Sequence, residues 1–137
     1  MQHALRARML HGPVLPGSEA LANYLAVTIG HLPSEQTRVL FLDARNRLIR
    51  DETVAQGSID RTPIYPRAIL KRALELGSAA LILVHNHPTG DLTPSDADLR
   101  ATERIIDAGA ALDIALHDHV IVGPNGWASL RALGFLK

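Results

Sequence analysis

The stretch from Leu81 to Asp98 constrains this chain more than any other. It opens with Leu81-Ile82-Leu83-Val84, an unbroken apolar run that reads as a buried strand. The run leads directly into His85-Asn86-His87-Pro88. Side chains alternate faces along a strand, so His85 and His87 point one way and Asn86 the other. Pro88 has no amide hydrogen to give a ladder and stops the strand. Gly90-Asp91 centre a turn-rich loop, and Pro94-Ser95 open a helix with Ser95 as N-cap. Asp98 then falls at N3, in the first helical turn. Two imidazoles at a strand end and a carboxylate at the next helix start can converge on one metal ion. Three protein ligands leave a fourth position open, which is the pattern of catalytic rather than structural zinc. Two plainer readings compete with this. A His-x-His pair can be two ordinary polar residues, and Ser95-x-x-Asp98 resembles a capping box that needs no metal. The combination of same-face histidines, strand end and helix N-terminus favours the metal.

Composition narrows the chemistry. The chain contains no cysteine, so a metal must be held by histidine and carboxylate. Two imidazoles favour zinc over magnesium, which prefers an all-oxygen shell. A zinc ion so held would bring a bound water's pKa toward neutrality and polarise a carbonyl. Its water needs a general base, and Glu19, Glu35, Glu52, Glu75 and Glu103 are all candidates by sequence. At 137 residues one domain is expected. Lys+Arg and Asp+Glu both count 14, so no strong pull toward nucleic acid or an anionic membrane follows. Arg45, Arg47 and Arg50 lie close together, but Asp43, Asp51 and Glu52 flank them. Binding to DNA is expected to be weak and salt-sensitive at most. No apolar run reaches membrane-spanning length and no secretory signal opens the chain, so a cytoplasmic protein is the simplest reading.

Taken in order, residues 1–17 read as a linker and residues 18–137 as the domain. Ser18 caps a helix to about Ile29 that buries Leu21, Tyr24, Leu25 and Thr28. Arg38–Leu42 and Leu48–Ser58 read as strands joined by a hairpin turn at 43–46. Pro66 starts a helix that buries Ile69, Leu70, Ala73 and Leu74 and ends at Gly77. The metal-site strand spans Ala79–His85. The next helix, Ser95–Ala108, buries Leu99, Thr102 and Ile106. Ala111–His117, His119–Val122 and Trp127–Leu130 read as three short strands, the last preceded by a turn at 124–126. Such a series gives an α/β sandwich, with helices covering a curved mixed sheet.

His85-x-His87-Pro88, six residues, Ser95, two residues and Asp98 resemble the metal-binding signature of the JAB1/MPN/Mov34 metalloenzymes, the JAMM motif. The chain is most similar to the RadC branch over about residues 35–131. The matching pieces include Arg38–Asp43, Asn46–Ile49, Gly57–Ile59, Tyr65-Pro66-Arg67, Ala79–Pro88 and Asp118–Gly123. The resemblance implies the JAB/MPN, cytidine-deaminase-like fold and a zinc-dependent hydrolase acting on a peptide or isopeptide amide. It implies His85, His87 and Asp98 as zinc ligands. It implies Glu35, just before the first strand, as general base, and Ser95 as a residue that holds the water or the oxyanion. A peptide or protein is then the expected substrate. RadC-like proteins usually carry an N-terminal helix-hairpin-helix region, and this sequence shows none. The oligomeric state stays open, with a homodimer among the options.

Other residues stay ambiguous. Asn86 and Thr89 flank the site and either touch substrate or stabilise the turn. His117 and His119 repeat the His-x-His spacing, but no suitably spaced carboxylate follows, and ordinary strand-end residues are the better reading. Asp118-His119 matches a RadC-branch signature of unassigned role, a contact to a ligand imidazole being one option. Trp127 reads as packing, and Arg67 as a partner for a carboxylate. The main alternative function is a DNA-repair-associated accessory or protein-interaction module without hydrolase activity. The complete ligand set argues against it.

Overall fold

In the computed structural model, which describes residues 12–136 apart from positions 16 and 60, eight elements follow one another. They are α1 (Glu19–Thr28), β1 (Gln36–Leu42), β2 (Leu48–Gln56), α2 (Pro66–Leu76), β3 (Ala80–Asn86), α3 (Asp96–Ala110), β4 (Ala115–Gly123) and β5 (Gly126–Ser129). The strands form one open sheet in the order β2-β1-β3-β4-β5. β3 runs parallel to β4, and the other neighbours are antiparallel. This is the expected α/β architecture, a five-stranded mixed sheet flanked by three helices. No helix among the described residues is long and apolar enough to cross a membrane.

β3 occupies the middle of the sheet, and every one of its residues is buried. Its unbroken apolar run reflects cover on both faces. Leu81 and Leu83 join Phe41, Ile69, Leu70 and Ile105 in the core under α2 and α3. Ile82 and Val84 join Leu21, Tyr24, Leu25 and Leu40 in the core under α1. The expected linker contributes to this second core. Val14 is buried there, and its amide donates to the Asn46 carbonyl at 2.6 Å. Residues 1–11 and 16 of that segment lie outside the described residues.

The caps fall where the sequence places them. The Ser18 hydroxyl accepts from the Leu21 amide at 3.2 Å, and Pro66 opens α2. Gly77 ends α2 at a φ of 68°, in the left-handed region that glycine enters without strain. The buried faces differ in detail. Leu74 is exposed, because Pro66, Ile69, Leu70 and Ala73 define the inner stripe of α2. One residue beyond Ala73 is a turn of about 100° around the axis. On α3 it is Ile105 that is fully buried, while Leu99 and Ile106 pack only partly.

The two strands expected over Ala111–His117 and His119–Val122 are one strand, β4, with His117 as an unpaired bulge residue. Residues 111–113 are a turn, since α3 continues to Ala110 and the Gly109 carbonyl accepts from Leu112 and Ile114. A Cβ at Gly109 would lie 2.4 Å from the Ile114 carbonyl oxygen, so the chain can double back this closely only at glycine.

A buried ion pair fixes α1 to the sheet. Arg38 donates from Nε and Nη2 to Asp51 at 3.1 and 3.0 Å, and from Nη1 to the Thr28 carbonyl at 2.9 Å. The Tyr24 hydroxyl donates to the same carboxylate. The Arg38 and Asp51 side chains are 4% and 1% exposed, so removing one leaves an uncompensated buried charge. Asp51→Ala should therefore cost about 3–5 kcal/mol of stability. Urea unfolding checks this, and a loss under about 1 kcal/mol would show that the pair is solvated like a surface salt bridge.

Candidate metal centre

The pleat of β3 places His85 on the α2/α3 side, in line with Leu81 and Leu83. Thr37 on β1 and Ile121 on β4 flank it in register. His87 continues the pairing one residue beyond β3, its amide donating to the Val122 carbonyl at 2.8 Å. The loop then folds over the end of β4. A Cβ at Gly123 would lie 3.1 Å from Leu92 and 3.2 Å from the Gly90 Cα, so the absent side chain leaves room for the loop.

Ser95 and Asp98 do form a capping box. The Ser95 hydroxyl accepts from the Asp98 amide at 3.0 Å, and Asp98 Oδ2 accepts from the Ser95 amide at 2.8 Å. The other oxygen, Oδ1, is buried without a hydrogen-bond partner and lies 3.3 Å from His85 Nε2. His85 Nε2 and His87 Nε2 are 2.8 Å apart, and His87 Nε2 is 3.6 Å from Asp98 Oδ2. His85, His87 and Asp98 thus form a group that could hold a metal ion.

Hydrogen bonds on the far side of each ring aim these nitrogens inward. His87 Nδ1 sits 2.6 Å from the Asp91 carbonyl, which can only accept, so Nδ1 carries the hydrogen and Nε2 is the free donor atom. For His85 the chain is longer. The Thr102 hydroxyl donates to the Asp98 carbonyl at 2.8 Å and so accepts from His119 Nδ1 at 2.6 Å. His119 Nε2 is then the acceptor, 2.7 Å from His85 Nδ1. That leaves the lone pair of His85 Nε2 pointing at Asp98 and His87.

The electrostatics suit a cation. Burial alone would raise the Asp98 carboxyl, but the facing His85 and His87 imidazoles and the Ser95 amide outweigh it and hold the group well below the usual carboxylate range. The Asp98 carboxylate 3.6 Å away raises His87 above its ordinary value despite partial burial, helped by the Asp91 carbonyl. Burial keeps His119 far below the usual imidazole value, and the neighbouring His85 adds to this. A neutral His119 is what the relay of hydrogen bonds requires. An orphaned buried carboxylate oxygen facing two imidazole nitrogens fits zinc better than a hard all-oxygen ion.

The RadC-like JAB domain model matches residues 15–135. The chain belongs to the RadC-like JAB domain family. The UPF0758 protein of Rhodobacter capsulatus is 51% identical over 135 residues, covering 98% of this chain and 63% of that relative. The chain thus spans less than two thirds of the length of the curated relative it matches.

In this RadC-like domain Glu35, Ser95 and Asp98 line one cleft of about 210 Å³ with His87, Ser58 and Thr89. Two hydrogen-bond systems hold the segment carrying Glu35. Its carbonyl accepts from Gly57 at 2.8 Å. Asn86, on the opposite pleat from His85, accepts from the Gln36 amide at 2.7 Å and donates to the Ser34 carbonyl at 3.0 Å. Asn86 is buried and lies behind the site rather than in it. The Thr89 hydroxyl accepts from the Asp91 amide at 3.3 Å, and Ser95, whose hydroxyl accepts from the Asp98 amide, lines the same cleft.

The other candidates fall elsewhere. His117 bonds to Asn46 at 2.8 Å and does not meet His119, so the second His-x-His makes no metal site. Asp118 accepts from the His119 and Arg131 amides and from Ser129, pinning the bulge of β4. Arg67 has no carboxylate partner among the described residues and instead lies over the Tyr65 ring at 5.2 Å. Glu52 is engaged by Arg72 on the sheet edge.

Two outcomes follow for metal binding. His119→Ala removes the acceptor for His85 Nδ1 and should weaken zinc binding about 10- to 100-fold, read by competition with a chromophoric chelator. Unchanged affinity would show that His119 does not orient His85. The pH dependence has a definite sign. In the metal-free protein His87 holds its proton to a pH above the usual value of about 6.5, and a metal must displace it. Affinity should be full above that raised value and fall as the pH drops through it, about tenfold per unit. Isothermal titration across the range tests this, and constant affinity below about pH 6 would contradict it.

Proposed function

We propose that this domain is a zinc-dependent hydrolase of peptide or isopeptide amides, working in the cytoplasm. The observation that carries the reading is the unpartnered Asp98 Oδ1 facing the two inward nitrogens, with Glu35 and Ser95 in the same cleft. When bound, zinc supplies an acidified water and a Lewis acid for the amide carbonyl. The chain's own residues would do the rest. His85, His87 and Asp98 present three donors and leave the cleft side open. Glu35, on its tethered segment, accepts a proton from the attacking water and returns it to the departing amine. The Ser95 hydroxyl, fixed by its bond from the Asp98 amide, donates to the oxygen on which negative charge develops. Burial of His85 and Asp98 keeps water from competing for the donor atoms.

Glu35→Gln is the decisive variant. It should bind one zinc per chain like the parent, yet lose about 10²- to 10⁴-fold in amide hydrolysis, because an amide cannot take up the proton. The double variant His85→Ala with His87→Ala should lose both metal and turnover. Elemental analysis and hydrolysis of a peptide library read the two properties separately. Turnover by Glu35→Gln at the parent rate would remove Glu35 from the reaction, and stoichiometric zinc in the double variant would remove the ligand assignment.

A further inference from the structure

The metal cleft does not end at Ser95. Ile59, which lines it, also lines a second depression of about 300 Å³ together with Ile64, Ala97, Ala101, Arg100 and Arg104. Arg104 in turn borders a third, of about 490 Å³, with Tyr65, Arg67 and Asp107. These adjoining depressions, which share Ile59 and Arg104, form a groove along α3 with Ile59, Pro63, Ile64 and Tyr65 on its other side. Ile59, Ile64, Ala97 and Ala101 give it an apolar lining, and Arg100, Arg104 and Arg67 stand along it, with the Asp107 carboxylate beside the third depression. Arg100 and Arg104 are one helical turn apart and share a face. Both are exposed, and neither makes an ion pair among the described residues. By contrast, Arg38 and Arg72 are held by Asp51 and Glu52.

We propose that this groove binds an extended acidic peptide segment and leads it to the metal cleft. The proposal rests on the peptide-hydrolase reading and names the class of substrate. Glutamate suits the groove best: its methylenes can lie on Ile59, Ile64 and Ala101 while its carboxylate meets a guanidinium fork. From Asp98 to Arg104 is about 9 Å along the helix axis, the reach of about three extended residues. The preferred acidic side chain therefore lies two or three residues from the cleaved amide. A nucleic acid fits less well. It would need bases stacked on free aromatic faces. The lining aromatic, Tyr65, already has Arg67 over its ring.

The test measures binding alone, by fluorescence anisotropy with fluorescein-labelled hexaglutamate, hexaglutamine and six-nucleotide oligothymidylate. The full chain is used, both zinc-loaded and chelated. Hexaglutamate should bind at least tenfold tighter than hexaglutamine in both forms. Arg100→Glu with Arg104→Glu should erase that preference while circular dichroism shows an intact fold, and Arg100→Lys with Arg104→Lys should keep most of it. Equal binding of the two peptides, or a preference that survives charge reversal, overturns the proposal. Tighter binding of oligothymidylate than of hexaglutamate also overturns it and assigns the groove to nucleic acid. Turnover plays no role in these readouts. A domain that hydrolyses peptides without an acidic preference loses only this inference, and one that binds hexaglutamate without hydrolysis loses only the reading it rests on.

Discussion

The two-residue period of β3 ties the whole site together. One step along this central strand sends His85 toward α3 and Asn86 toward the segment before β1. The same stiff, fully buried strand therefore sets both the candidate metal donors and the position of Glu35. A slip of one residue in register would exchange the two faces and destroy both arrangements together. Pairing on both sides makes such a slip costly, because Thr37, His85 and Ile121 sit side by side in three hydrogen-bonded strands.

The helix start adds the third candidate donor in a related way. A carboxylate at N3 has two oxygens, and the capping box uses only one. The Ser95 amide holds Oδ2, which fixes the side chain and aims Oδ1 at the histidines. Capping and metal binding, competing explanations of Ser95 and Asp98 from sequence, are compatible features of one geometry. The cost is a buried oxygen with no protein partner. A cation held between the three side chains would satisfy it.

Local chemistry made much of this legible. The apolar run, the Pro88 stop, the Ser18 and Ser95 caps, and the Gly77 terminus are decided by neighbours in sequence, and each falls close to its expected place. What was not legible depends on distant contacts. The bulge at His117 arises because Asp118 is pinned from Ser129 and Arg131, beyond the strand itself. Its effect is to separate a pair of histidines that share a spacing, sending His117 to the hairpin turn and His119 under His85. The tether from Asn86 to Ser34 spans 52 residues of sequence, and no local pattern announces it. A faint signal did exist for His119: Asp118-His119 matches a RadC-branch signature, and contact to a ligand imidazole is one reading of it.

The balanced charge count concealed an uneven surface for the same reason. Acidic residues are engaged where they stand: Asp51 by Arg38, Glu52 by Arg72, Asp43 by the hairpin amides and Asp118 by the β4 bulge. The pairs with Arg38 and Arg72 cancel charge locally, while Asp96, Glu103 and Asp107 of α3 stay exposed along with its arginines. Arg100 and Arg104 keep theirs, because the inner stripe of α3 is given to Asp98, Thr102 and Ile105 and the outer face meets solvent. Equal totals can therefore coexist with two guanidinium groups beside the cleft that no carboxylate pairs among the described residues. A chain with formal charge zero still presents guanidinium groups in the depression next to its candidate metal cleft. The folded pairing, not the composition, sets the charge that an approaching segment encounters.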